Sequence, residues 1–480
     1  MMADFQCSSN EFLDWFQNQA GGSFNSSLAI TDLRERNAGR GIIATAPIPP
    51  DTELFTIPRR SIISVEKSSL HKKLPQIFTT LKDAAAEDNA HDEDEISLPD
   101  PWFDLILVMI YEYLQGPSSP WKPYFKVLPS SFNTLMFWTE SELSELQASA
   151  VKDKIGRESA EEMFVTRVVP TIKQHSDIFY PQNTPHLSDQ ELMDLSHRMG
   201  SIIMAYAFDL ETDNAAANTN GNDDDGWEED REGLLSMGMV PMADMLNADA
   251  EFNAHLDHGP DTLTMTSLRT IAAGEEVLNY YGALPNSDLL RRYGYTSAKH
   301  TRYDVVEISW ELIHSVIAKR FQGRALGAPD EEEMEDSFVI ELDSGEPDET
   351  GINTSTAQFT GFPEELQMQV YQTIAPALDI DVSRKTTKED RTKLDKTLFE
   401  IMVVALQERL AMYSTSIAQD DEILGKVDVQ GRLRMAVEIR RGEKKLLADA
   451  LQFAQSCVER FNSIETSKQD EERPAKKQRR

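Results

Sequence analysis

The chain has 480 residues, with 82 Asp and Glu against 47 Lys and Arg and a formal charge of −35. That acidity argues against nucleic-acid binding through a general basic surface and favours basic protein partners, although solubility accounts for it equally well. The length calls for two domains, no apolar run is long enough to span a bilayer, and the acidic start lacks the basic n-region of a secretory signal.

From Gly41 the segment GIIATAPIPPDTELFTIPRR alternates β-branched residues with Pro and Asp turns, which predicts short strands joined tightly. Asp100 can cap a helix that Pro101 opens, in which Trp102, Leu105, Ile106, Met109, Ile110 and Tyr113 recur on one face before Gly116. Helical patterns follow over Glu140–Gln147, Glu161–His175 and Asp189–Phe208. Strands return between Val240 and Gly282, where Thr262, Thr264 and Thr266 alternate with Leu263 and Met265. After Tyr303 the pattern is helical again, through Leu394, Leu398, Ile401, Met402, Ala405 and Leu406, then Leu433, Val437, Leu447, Leu451 and Val458. Three acidic tracts, Asp83–Glu95, Thr212–Glu232 and Pro329–Glu349, are expected as surface insertions, and the charged tail from Thr466 as disordered.

Familiar hydrolytic and nucleotide-binding signatures are missing: there is no GxSxG, HExxH, P-loop or GxGxxG. Cys7 and Cys457 sit near opposite ends without CxxC spacing, which fits a reducing compartment and excludes a cysteine zinc cluster. His255 and His258 are expected in an exposed loop, so no metal site is expected. The densest segment runs from Met239 to Tyr295 and contains MVPMADMLNAD, AAGEEVLNYYG and NSDLLRRYGY. Alternation from Glu276 to Tyr281 puts Val277, Asn279 and Tyr281 on one face and Leu278 and Tyr280 on the other. Asn286 can cap a short helix that carries Leu289, Leu290 and Tyr293 and ends at Gly294. On spacing alone, core filling is the better explanation of these tyrosines.

In order, these motifs resemble a SET domain: NAGRGIIATAPI resembles its opening glycine motif, and the Asn-rich and GEE-x-x-x-x-YG segments resemble the two that cross in a pseudoknot beside the cofactor. The helical block between the β regions and the later RLRMAVEIRRGEKKLLADAL resemble the Rubisco large-subunit methyltransferase type. Where many members read Asn-His-Ser, this chain reads Asn247, Ala248, Asp249, which is similar to the fungal ribosomal lysine methyltransferase branch.

The resemblance implies an α+β fold: a SET domain over about residues 10–300 with a helical insert at about 85–210, an all-α substrate-binding domain over 301–465, and a disordered, basic-ended tail over 466–480. It implies S-adenosyl-L-methionine (AdoMet) as co-substrate and methylation of a lysine on a basic, ribosomal protein, by a monomer without a metal. Main chain at Gly39, Arg40 and Gly41 would contact the cofactor, with Asn247 and the backbone of Ala248. Tyr281 would be catalytic at the methyl-transfer channel, with Tyr293 packing around cofactor and channel, while Asp244 and Asp249 are expected in surface or hydrogen-bonding structural roles rather than catalytic ones. Histidine as the acceptor and a catalytically silent binding module are the alternatives. The closing RPAKKQRR, from Arg473, is a basic cluster that a nuclear import receptor could read, so nuclear residence, with a cytoplasmic share, is expected.

Overall fold

A computed structural model describes residues 2–36, 38–78, 100–210, 236–329, 334–381 and 386–471. The strands are β1 (Ser23–Phe24), β2 (Leu28–Asp32), β3 (Arg40–Ala44), β4 (Glu53–Pro58), β5 (Ala207–Leu210), β6 (Ser236–Met239), β7 (Asn247–Ala248), β8 (Ala254–His258), β9 (Thr262–Ser267), β10 (Glu276–Asn279), β11 (Val305–Ser309) and β12 (Ser337–Glu341). They form two four-stranded sheets, β1-β4-β9-β8 and β2-β3-β10-β7, and two two-stranded ladders, β5-β6 and β11-β12.

β9 shows the expected alternation, with Leu263 and Met265 buried between half-exposed threonines. β10 joins the two ends of the β region. It pairs antiparallel with β3, setting Glu276 opposite Ile43, and parallel with β7, setting Leu278 opposite Asn247. Asn253, fully buried, ties this crossing: its amide donates to the Glu276 carbonyl at 2.8 Å and accepts from the Leu278 N–H at 2.8 Å.

The inserted block is helical. Asp100 Oδ1 accepts from the Phe103 N–H at 3.0 Å and Pro101 opens the helix Pro101–Leu114. Its buried surface is wider than the expected stripe, since Leu105 to Tyr111 are all buried, whereas Trp102 and Tyr113 are 37% and 38% exposed because they lie at the ends, beyond the core. Ser188 and Glu191 cap the helix Asp189–Tyr206 reciprocally. That helix stops two residues before Phe208, where the chain turns extended as β5 and pairs with β6.

Beyond Tyr303 the chain is mainly helical, with Trp310–Arg320, Glu364–Ile374, Lys388–Ala411, Ile417–Leu424 and Gly431–Glu471 beside the β11-β12 ladder. Leu394, Leu398, Ile401, Met402, Ala405 and Leu406 are all buried, sharing a core with Leu446, Leu447, Ala450 and Ala454. One part of the acidic-tract expectation is corrected. Within Pro329–Glu349, Ser337–Glu341 is strand β12 against β11, with Phe338 and Ile340 buried on one face. The period-two pattern of SFVIE outweighs the acidic residues around it. The tracts Asp83–Glu95 and Thr212–Glu232 lie outside the described residues. The last helix continues to Glu471, past the expected boundary at Thr466, and the basic end from Arg473 is outside the described residues.

A smaller cluster joins the parts: Leu135, Trp138, Leu146 and Val151 of the insert pack with Leu290 and with Ala436 and Ile439 of the last helix. Among the described residues no helix is long and apolar enough to cross a membrane, and no group of His, Cys, Asp and Glu could hold a metal ion. His255 and His258 lie on strand β8 rather than in a loop, both exposed.

Candidate active site

The β3–β10–β7 crossing gathers the residues singled out in the sequence. Asn247 Nδ2 donates to the Arg40 carbonyl at 3.2 Å and to Glu276 Oε1 at 2.6 Å. Gly41 is required by crowding. A Cβ there would lie 2.3 Å from Leu33 Cδ1, 2.7 Å from Glu276 Oε1 and 3.0 Å from Asn247 Nδ2. Gly39 is open, with nothing within 4 Å of a Cβ placed on it. The Arg40 side chain turns away from this crossing. It donates to Ser8 Oγ, Ser9 Oγ and the Val127 carbonyl at 2.7, 3.0 and 2.9 Å, and lies 3.9 Å over the Phe5 ring. Only the main chain of Arg40 therefore faces Asn247.

The tyrosines form the second half of the site. Tyr281, 9% exposed, donates its hydroxyl to the Leu246 carbonyl at 2.8 Å and stacks on Tyr293 at 4.6 Å between ring centres. Tyr280, on the opposite face as alternation requires, stacks on Phe252 at 4.6 Å. Tyr293 is fixed from behind because Gly294, at φ 81°, ends its helix, and a Cβ there would press on the backbone of Asn133 and Thr134 at 3.0 Å. Asn286 does not cap that helix as expected. It lies inside the first turn, buried, and its amide donates to Asp304 Oδ1 at 3.0 Å. Tyr295 donates to the Ala248 carbonyl at 3.4 Å, so the main chain of Ala248 does face the site.

A narrow cavity of about 40 Å³ opens between these rings and the end of the helix Asp189–Tyr206, lined by Tyr206, Phe208, Asp244, Tyr280, Tyr281 and Tyr293 among others. Burial holds its phenols neutral: Tyr281 is raised well above the ordinary tyrosine range, and Tyr206 and Tyr293 are pushed up to about 12. Asp244, expected in a surface or hydrogen-bonding structural role, is buried and hydrogen-bonded, and it also lines the cavity. Tyr124 donates to its Oδ2, while Oδ1 is buried without a partner, and burial raises the carboxyl to about 7. Met242, buried at φ 86°, bends the chain just before it. The available signal was an acid embedded in the apolar run MVPMADML, a setting in which a charge needs a reason. Asp249 is structural as expected, pairing with Lys299 at 3.3 Å.

Chemically, the site offers an acceptor edge at Asn247 and open main chain near Gly39. These adjoin a slot of neutral hydroxyls with one titratable carboxyl. Because the Tyr281 proton is committed to Leu246, its oxygen can only accept from a group entering the slot.

Comparison with known proteins agrees with this geometry. The SET domain family matches residues 39–282, and the family described as Rubisco LSMT substrate-binding matches residues 369–447. Ribosomal lysine N-methyltransferase 4 of Saccharomyces cerevisiae is 36% identical over 325 residues, covering 67% of this chain and 62% of that protein. N-lysine methyltransferase SETD6 of Bos taurus is 27% identical, over 59% of this chain and 56% of that protein. The match thus spans less than two thirds of the length of these relatives. The solved SET domain of LSMT bound to lysine and AdoHcy superposes with a TM-score of 0.61 at 18% identity, over 95% of this chain and 93% of that one, a likeness of fold. With the family match over residues 39–282 and a relative at 36% identity across 67% of the sequence, the chain belongs to the SET domain family.

Proposed function

We propose that the protein is an AdoMet-dependent protein-lysine N-methyltransferase acting on a basic ribosomal protein. The observation that carries this reading is the slot of neutral tyrosines directly joined, through Leu246 and Asn247, to the β3–β10–β7 crossing. The polar groups fit the cofactor: Asn247 Oδ1, an acceptor, with the open main chain near Gly39 and the Ala248 backbone, suits a ligand bearing amino and adenine groups. AdoMet, when bound, supplies a methyl group activated by an adjacent sulfonium.

The chain's own residues do the rest. The slot's buried, ring-lined walls disfavour a lysine ammonium relative to the neutral amine. Tyr281 Oη accepts an N–H of that amine and so orients its lone pair. Asp244 Oδ1, buried and unpartnered, receives the proton that the ammonium gives up, a role to which a carboxyl near 7 is matched. Once protonated it is neutral and no longer holds the lysine charged.

The ribosomal substrate class is supported by the yeast relative's name and by the charge of −35, which steers a basic partner. The region after Tyr303, with its match to a substrate-binding family, is proposed as the platform for that partner. The test supplies labelled AdoMet and the protein to an extract lacking the endogenous enzyme. Label on a ribosomal protein, mapped to lysine by mass spectrometry, is expected. Label on histidine, or none, would overturn the reading. We also propose that the basic end Arg473–Arg480 directs nuclear import; deleting Lys476–Arg480 should move a fluorescent fusion to the cytoplasm, and no redistribution would refute it.

A further inference from the structure

Two adjacent carboxylates where the turn enters β10 have different partners. Glu275 staples its own turn: Oε1 pairs with Arg269 Nη1 at 2.9 Å, and Oε2 accepts from the Ala272 N–H at 2.9 Å. Glu276 is directed across the sheet to β7, where Oε1 accepts from Asn247 Nδ2 at 2.6 Å. The same nitrogen donates to the Arg40 carbonyl at 3.2 Å. A carboxylate and a carbonyl can only accept, so the amide nitrogen of Asn247 must face them and its oxygen must face away. Without these acceptors an asparagine amide is free to turn over and present nitrogen where oxygen is needed. Gly41 makes the arrangement possible, since any side chain there would enter the space between Glu276 and Asn247.

We infer that Glu276 is a positioning residue for the cofactor: it locks the Asn247 amide so that Oδ1, an acceptor, is the face shown to an amino group of the ligand. This rests on the AdoMet reading above. Glu276 touches no reacting atom. Its contribution is made through Asn247, and this dependence separates it from a carboxylate that merely supports the sheet.

The test is a double-mutant cycle on the full chain, read by calorimetry with AdoHcy and by thermal melting. Glu276→Met removes the acceptor at similar length and is expected to weaken AdoHcy roughly tenfold, the scale of one lost charged hydrogen bond. In turnover, KM for AdoMet should rise while kcat at saturation holds. Glu276→Gln keeps an acceptor oxygen and should restore affinity to within about threefold. In an Asn247→Ala background the Met substitution should cost nothing further. Equal weakening in both backgrounds, or failure of Gln to restore binding, would overturn the inference. Should the Met variant not fold, Glu276→Asp, one methylene short of Asn247, serves in its place with the same expectations. If the unsubstituted protein binds no AdoHcy, it is the cofactor reading itself that fails.

Discussion

Tyr124 donates its hydroxyl to the carboxylate of Asp244, 120 residues later in the chain, and so holds the acid against the wall of the tyrosine-lined cavity. The remaining oxygen is buried without a partner. If it takes the proton of the entering lysine, Asp244→Asn should lower kcat by roughly 10²-fold with AdoHcy affinity unchanged. The acid limb of the wild-type rate should report a group near 7, because below that pH Asp244 is already protonated. In the Asn variant that limb should vanish. An unaltered pH profile in a folded variant would remove Asp244 from the chemistry.

Tyr281→Phe tests the other polar group in the slot. The ring and its stacking on Tyr293 remain, but the Leu246 carbonyl loses its donor and the slot loses an acceptor. Methyl transfer should fall sharply while AdoHcy binding stays within a few-fold, and the buried carbonyl should cost about 1–3 kcal/mol of stability. Chemical denaturation and single-turnover rates together check both parts; full turnover would discard the role of the hydroxyl.

The two glycines flanking Arg40 should behave oppositely although the sequence presents them alike. Gly41→Ala forces a methyl against Leu33, Glu276 and Asn247 and should weaken both stability and AdoHcy binding, with overpacking worth about 1–3 kcal/mol. Gly39→Ala meets nothing and should be close to wild type in melting temperature. Equal effects at both positions would contradict the packing described.

What was legible in the sequence was what local pattern controls. The alternation of Leu263 and Met265 with threonines, the Asp100 and Pro101 start, and the different environments of Tyr280 and Tyr281 follow from periods and caps that neighbours along the chain impose. What escaped was decided across long separations. Asp244 becomes part of the slot only because Tyr124 and Tyr206 fold against it, and an acid next to a turn reads locally as surface. β12 was hidden by its acidic surroundings, because composition averaged over a window conceals five alternating residues. Glu276 and Glu275 are indistinguishable as letters, and only the sheet register sends one to Asn247 and the other to Arg269.

The last prediction concerns the seam between the SET sheets and the helical region, where two buried acids meet. Asp304 Oδ1 accepts from the backbone and side chain of Asn286 at 3.1 and 3.0 Å, and Oδ2 is buried without a partner against Gly442. Glu443, on the same helix as Gly442, accepts from Ser149 Oγ at 2.5 Å and Tyr413 Oη at 2.7 Å. Burial, before any other cause, pushes both carboxyls up to about 7; the charge of Glu443 adds to it at Asp304, and that of Glu307 at Glu443. An acid whose folded value is raised favours folding while it is protonated in both states. That contribution is complete below about pH 4, where unfolded carboxyls titrate, and is lost as pH rises through about 7. The melting temperature should therefore fall between about pH 4 and pH 7 and level off above it. Asp304→Asn and Glu443→Gln should each flatten that fall, because neither replacement can ionise. Gly442→Ala makes an independent check: its Cβ would lie 2.2 Å from Asp304 Oδ2, so it should destabilise at every pH without changing the slope. A melting temperature that rises over this window in the wild type, or slopes unaffected by Asp304→Asn and Glu443→Gln, would show that these acids do not govern the seam.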